Sequence, residues 1–122
     1  MQKSHWFTAV LGALALAQVA AAAAVSGAWK VAGTANGMPI KITCTLREKA
    51  GALSGSCYAP DLQRTLPIKG KHHGNSVTWS YPINYQGQDL QIGYDGTLKS
   101  AREIAGDITV NGSPAGQFTA KK

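Results

Sequence analysis

A chain of 122 residues, 44% hydrophobic and 15% charged, leaves no room for a second ordinary domain once a targeting segment is set aside. Twelve Lys and Arg against six Asp and Glu give a net charge of +6, which in an exported protein points to anionic surfaces or partners rather than nucleic acid. Two cysteines are an even count, so a single bridge is the expectation wherever disulfides persist.

The first residues divide into the three parts of a secretory signal. Residues 1–6 carry Lys3, 7–17 form an apolar stretch, and 19–24 offer small-x-small cuts after Ala20, Ala22 or Ala24. The Ala-rich tail runs into the polar Ser26-Gly27 boundary without a stop-transfer flank, so the mature form is expected to lack a transmembrane segment. No cysteine near the cut supports a lipid anchor. The division is therefore a signal peptide over 1–24 and one β-barrel domain over 25–122, periplasmic or secreted. Removing Lys3 leaves 11 basic residues against 6 acidic, a net charge of +5.

Beyond the signal the hydrophobic period is two, with no helical stripe. Strands are predicted at 27–32, 39–47, 52–58, 63–70, 76–81, 89–98, 102–110 and 116–121. Turn signals separate them: Asn36-Gly37, 49–51, Pro60-Asp61, 73–75, Gln86-Gly87, 99–101 and 111–114. Eight short strands in even succession predict an all-β, antiparallel up-and-down barrel, which leaves no open edge. An open sandwich is the alternative.

Alternation assigns an inward face through Ile40, Ile42, Cys44, Leu46, Leu53, Gly55, Cys57, Leu66, Ile68, Val77, Trp79, Tyr81, Leu90, Ile92, Tyr94, Leu98, Ile104, Ile108, Val110 and Phe118. Its complement, with Lys41, Thr43, Thr45, Arg47, Gln91 and Asp95, reads as a solvated wall. An apolar-x-Gly unit recurs at Leu53–Gly55, Ile68–Gly70, Tyr94–Gly96 and Ile104–Gly106, marking points of coiling or close approach. If the second hairpin turns about Ala50-Gly51, partner numbers sum to 101 and Cys44 faces Cys57 at a non-hydrogen-bonded pair. A bridge there stabilises the fold by roughly 3 kcal/mol in the chain-entropy model.

The opening Ser26-Gly27-Ala28-Trp29 resembles the Gly-x-Trp that begins strand one of calycin barrels, the group of lipocalins, avidins and bacterial metalloprotease inhibitors. The resemblance gives Gly27 and Trp29 structural roles and implies that Trp29 closes one barrel end beneath Lys121 or Lys122. No C-terminal helix follows the last strand, so the chain looks more like a bare avidin-type barrel, and no polar set matches a biotin site. The size, export signal, Ser-Gly-x-Trp opening and single disulfide also resemble the serralysin-type protease inhibitors. Their inhibitory trunk precedes that motif, where this chain has one to five residues after the candidate cuts.

In an up-and-down barrel the turns after strands two, four and six share a pole with both termini. That pole gathers Arg47, Lys49, Lys69, Lys71, Lys99, Arg102, Lys121 and Lys122 against Glu48 and Glu103, a sum of +6, with His72 and His73 beside them. Lys49, Lys69, Lys71, Lys99, Arg102, Lys121 and Lys122 are the candidate contacts for an anionic envelope surface; dispersed lysines serving solubility are the plain alternative. The opposite pole is nearly uncharged, carries Tyr85, and is the expected barrel mouth.

Catalysis has little support, because the six carboxylates are dispersed and no nucleophile sits with a base and an orienting group. Neighbouring His72 and His73 point apart, so neither a metal nor a cofactor is expected. Trp79, Tyr81 and Tyr94, with Tyr85 at the mouth, are the ligand-binding candidates; for the first three, core packing is the alternative. The sequence thus describes a non-catalytic exported barrel for a small apolar or amphiphilic ligand, an anionic envelope component or a protein partner. A periplasmic protease inhibitor and a structural or adhesive module are the other readings. An open interior favours the ligand reading and a filled one the others.

Overall fold

The computed structural model describes residues 25–122; the signal-peptide reading falls on 1–24, outside the described residues. Eight strands follow one another: β1 (Gly27–Ala35), β2 (Met38–Lys49), β3 (Ala52–Ala59), β4 (Arg64–His73), β5 (Ser76–Tyr85), β6 (Gln88–Ser100), β7 (Glu103–Val110) and β8 (Ser113–Lys121). Each pairs antiparallel with its sequence neighbour, and β1 pairs with β8 to close the barrel. The up-and-down barrel stands, and the open sandwich is excluded.

The turns explain the closure. Asn36-Gly37, Ala50-Gly51, Gln86-Gly87 and Asn111-Gly112 all have two successive residues at positive φ, the type I′ geometry whose twist matches that of paired strands. Around Ala50-Gly51 the register runs Lys49↔Ala52, Leu46↔Gly55 and Cys44↔Cys57. The two cysteines are bonded at a non-hydrogen-bonded pair, with Cα atoms 3.9 Å apart, closer than the roughly 4.5 Å usual for such a pair.

Four strand limits differ instructively from the sequence pattern. Gln63 is not the start of β4 but the left-handed residue that ends a 3-10 turn, Pro60–Leu62. β4 continues to His73 through a tight turn at Gly74-Asn75. β8 begins at Ser113 rather than 116, because Asn111-Gly112 needs only two residues to reverse the chain.

The fourth difference lies at the mouth. β5 runs past Pro82 to Tyr85, although proline normally interrupts a ladder. The β4–β5 ladder extends from His73↔Ser76 only to Lys69↔Ser80. Pro82 occupies a non-hydrogen-bonded position against Gln91 of β6, so its nitrogen faces the side where that ladder has already stopped. Alternation puts the nitrogen of Pro67, on β4, against the same gap. The two prolines thus flank a seam that leaves β4 and β5 unpaired near the mouth, and neither removes a ladder bond.

Two glycines show what closing so small a barrel demands. At Gly55, φ is +132°, and a Cβ would run into the Thr45 carbonyl oxygen of β2; the recurring apolar-x-Gly unit therefore marks strand-to-strand close approach, as Gly70 and Gly106 repeat. Gly27, at φ +138°, leaves room for the Lys122 stem, whose Cε lies 2.6 Å from where its Cβ would be.

The interior follows the predicted inward face: Cys44, Leu46, Cys57, Val77, Trp79, Tyr94, Ile104, Ile108 and Phe118 are buried. Val25, Val31, Ala59 and Ala120 join this core. The pole that carries Val25 and Lys122 is filled. Buried Trp29 donates its indole N–H to the Val25 carbonyl at 2.8 Å, and Lys122 Nζ stands 5.5 Å from its ring centroid. Beside it, Glu48 and His72 continue the inward parity of β2 and β4 and meet at 2.7 Å, while Ser26 Oγ accepts the Glu48 backbone N–H.

Candidate functional site

At the opposite pole the barrel is not filled. A cavity of about 260 Å³ opens there, walled by Ile40 and Ile42 of β2, Leu66 of β4, Ile83 of β5, and Leu90, Ile92 and Val110 of β6 and β7. These are the mouth-side continuations of the inward rows, and they leave open space between them. Met38, Leu62 and Tyr85 stand at the rim with 52%, 42% and 36% of their surfaces exposed. Tyr85 Oη donates to Met38 Sδ at 3.8 Å across the opening.

The cavity ends on Tyr81, which is 4% exposed and whose hydroxyl lies 2.6 Å from that of Tyr94. Below this pair the interior is solid aromatic packing. Trp79 stacks on Tyr94 with centroids 5.1 Å apart and planes at 12°, and Phe118 meets both edge-on at 5.6 and 5.2 Å. Burial raises both tyrosine pKa values above the usual 10, and for Tyr94 the neighbouring Tyr81 raises it further. Both hydroxyls are therefore neutral donors and acceptors, not a source of charge. Trp79 Nε1 is buried without a hydrogen-bond partner among the described residues.

The four aromatic candidates divide accordingly. Tyr81 and Tyr85 line the cavity, whereas Trp79 and Tyr94 do not and belong to the packed floor beneath it. The reason is layering: Trp79 and Tyr94 are directly paired across β5 and β6, one pleat deeper than Tyr81, where facing rings fill the barrel width. Leu66, Ile83, Met38, Leu62 and Val110 escaped notice as site residues. For Ile83 the signal was present, since it follows Trp79 and Tyr81 at spacing two, but Pro82 concealed it.

The surface candidates also keep their places. Lys49, Lys71, Lys99, Arg102, Lys121 and Lys122 lie at or beside the filled pole, while Lys69 stands farther along the outer wall, paired with Ser54 and Ser80. His73 is exposed, and His72 contacts both Glu48 Oε1 and the Gly74 carbonyl oxygen, at 2.7 and 2.8 Å. Near the mouth, Lys41 and Arg64 balance Asp61 and Asp89. The net positive charge thus resides at the end remote from the cavity.

No protein-family model matches this chain, and neither does any curated protein. Solved structures do. A redesigned β-barrel aligns over 83% of this chain and 93% of its own, with a TM-score of 0.59 at 17% identity. Another redesigned β-barrel, mFAP0, bound to DFHBI, aligns over 81% and 99% with a TM-score of 0.58 at 13% identity. At these identities the likeness establishes a small closed eight-stranded barrel and nothing finer.

Proposed function

We propose that this protein is a non-catalytic, calycin-like barrel, exported and then held in the periplasm or secreted, that carries one small apolar molecule in its mouth. The observation that carries the reading is the cavity of about 260 Å³, walled mainly by aliphatic side chains and open at the pole whose charges balance. An apolar cavity of about 150 Å³ is large enough to take a benzene, so this one suits a molecule of one to two rings or a short chain. The similar barrel mFAP0 is bound to DFHBI, which supports the view that a barrel of this size can hold a small ligand. The partly open interior favours a carrier over a protease inhibitor, whose trunk would act outside the barrel.

Native mass spectrometry of protein recovered from its exported form tests this directly. A stoichiometric small molecule, lost when Ile83→Trp fills the cavity, is the expected result. An empty protein that also fails to take up small hydrocarbons would refute it.

The charge distribution favours a second role for the same molecule. With Lys69 on the outer wall, seven basic and two acidic side chains give the filled pole +5, equal to the whole net charge of residues 25–122. We propose that this pole rests on an anionic envelope surface with the mouth turned away. Binding to vesicles containing anionic lipid at low salt, weakened by Lys71→Glu with Lys121→Glu, is expected. Binding that ignores salt and both substitutions would remove this role and leave the carrier reading intact.

A further inference from the structure

The floor of the cavity holds one hydrogen-bond donor more than the described residues satisfy. Tyr81 and Tyr94 have two hydroxyl protons between them, and the 2.6 Å contact uses one. Whichever oxygen accepts keeps its own proton, which needs an acceptor elsewhere. A proton left on Tyr94 would face aromatic packing, because that ring is stacked on Trp79 and flanked by the edge of Phe118. A proton left on Tyr81 belongs to a side chain that lines the cavity, and so has open space within reach. The favourable arrangement therefore has Tyr94 donating to Tyr81 and Tyr81 turning its O–H toward the open space, since a buried donor without a partner is costly.

The walls restrict what can meet that donor. Ile40, Ile42, Leu66, Ile83, Leu90 and Ile92 offer a charged group no compensation. Lys41 and Asp61, which border the opening, are exposed to solvent. Nor can the floor itself readily become an anion to receive a cation, because burial opposes ionisation of both tyrosines.

We infer that the cavity selects neutral molecules with an apolar body and one hydrogen-bond acceptor, such as a ketone, ester or ether oxygen, which the Tyr81 hydroxyl engages at the floor. This inference rests on the ligand-binding reading and names the chemistry of that same site. Tyr94 is a positioning residue: it fixes which way the Tyr81 proton points and polarises it by donating to the same oxygen.

A matched pair of probes tests the inference. 1-Indanone carries a carbonyl acceptor, and indane is its hydrocarbon counterpart; affinities for both are measured by NMR titration on wild type, Tyr81→Phe and Tyr94→Phe. The expected result is that Tyr81→Phe weakens indanone by roughly fivefold or more and changes indane by less than about twofold, as expected when packing is kept. Tyr94→Phe should have a smaller effect on indanone and little on indane. In wild type alone, the bound indanone carbonyl stretch should lie at lower frequency than in an alkane solvent, a readout that requires no variant to fold.

Equal losses of both probes in Tyr81→Phe, or an unshifted carbonyl stretch in bound wild type, would overturn the donor assignment while leaving the cavity as a binding site. Failure of wild type to bind either probe would overturn the ligand reading and this inference with it.

Discussion

Reducing the Cys44–Cys57 bond should lower the stability of the barrel by about 3 kcal/mol without unfolding it. The bond joins residues 13 apart in sequence, and for a loop of this length the entropy removed from the unfolded chain corresponds to about 3 kcal/mol at 25 °C. Both sulfurs are fully buried, and reduction leaves them in place, so the packing contribution changes little. A small domain has about 5–15 kcal/mol in hand, so a native baseline should persist. At about 4–8 °C per kcal/mol for a domain of this size, the melting temperature should fall by about 12–24 °C. Urea unfolding at pH 7 with and without a phosphine reductant measures the difference, and replacing both cysteines by Ala should cost a further ~1–2 kcal/mol through lost sulfur packing. Midpoints that agree within about 0.5 kcal/mol in the two redox states would show that the bridge does not restrict the unfolded chain, and the reasoning would fail.

Gly55→Ala should cost more than about 3 kcal/mol, or prevent folding, because the new methyl meets the Thr45 carbonyl at a backbone φ of +132°; soluble yield and the urea midpoint report it. Trp29→Phe removes the donor to the Val25 carbonyl and weakens the contact with Lys122, so a loss of about 2–3 kcal/mol is expected in the same assay. Alkaline pH should destabilise the fold through Tyr81 and Tyr94. Their folded pKa values lie above the unfolded 10, so their contribution is complete below pH 10 and declines as pH rises beyond it, by up to about 1.4 kcal/mol per pH unit for each tyrosine. A plot of urea midpoint against pH from 8 to 11 should therefore be flatter above pH 10 in Tyr81→Phe/Tyr94→Phe than in wild type; parallel curves would remove the two tyrosines as its cause.

Much of the fold was legible because β-structure advertises itself locally. Alternation at Ile40, Ile42, Cys44 and Leu46, and a two-residue turn at Ala50-Gly51, suffice to fix a hairpin and to set Cys44 against Cys57. The limits drawn at Tyr81 and Gln63 failed for a shared reason. Whether Pro82 breaks a strand depends on which neighbour its nitrogen faces, and whether Gln63 extends or turns depends on the 3-10 segment before it. Neither dependence is contained in a window of a few residues.

The candidate site was less legible. Tyr85 and Tyr81 were found because aromatic residues draw attention, but Trp79 and Tyr94 carry the same chemical signal and serve as packing. The sequence alone determined the strand count, the register about the disulfide, the inward face and the separation of charge between the poles, because each follows from period two and chain order. Only the tertiary structure decided where the interior fills and where it opens. That depends on how side chains of distant strands fill the closed barrel at each layer: Trp79, Tyr94 and Phe118 meet across it, while Ile40, Leu66 and Leu90 line open space.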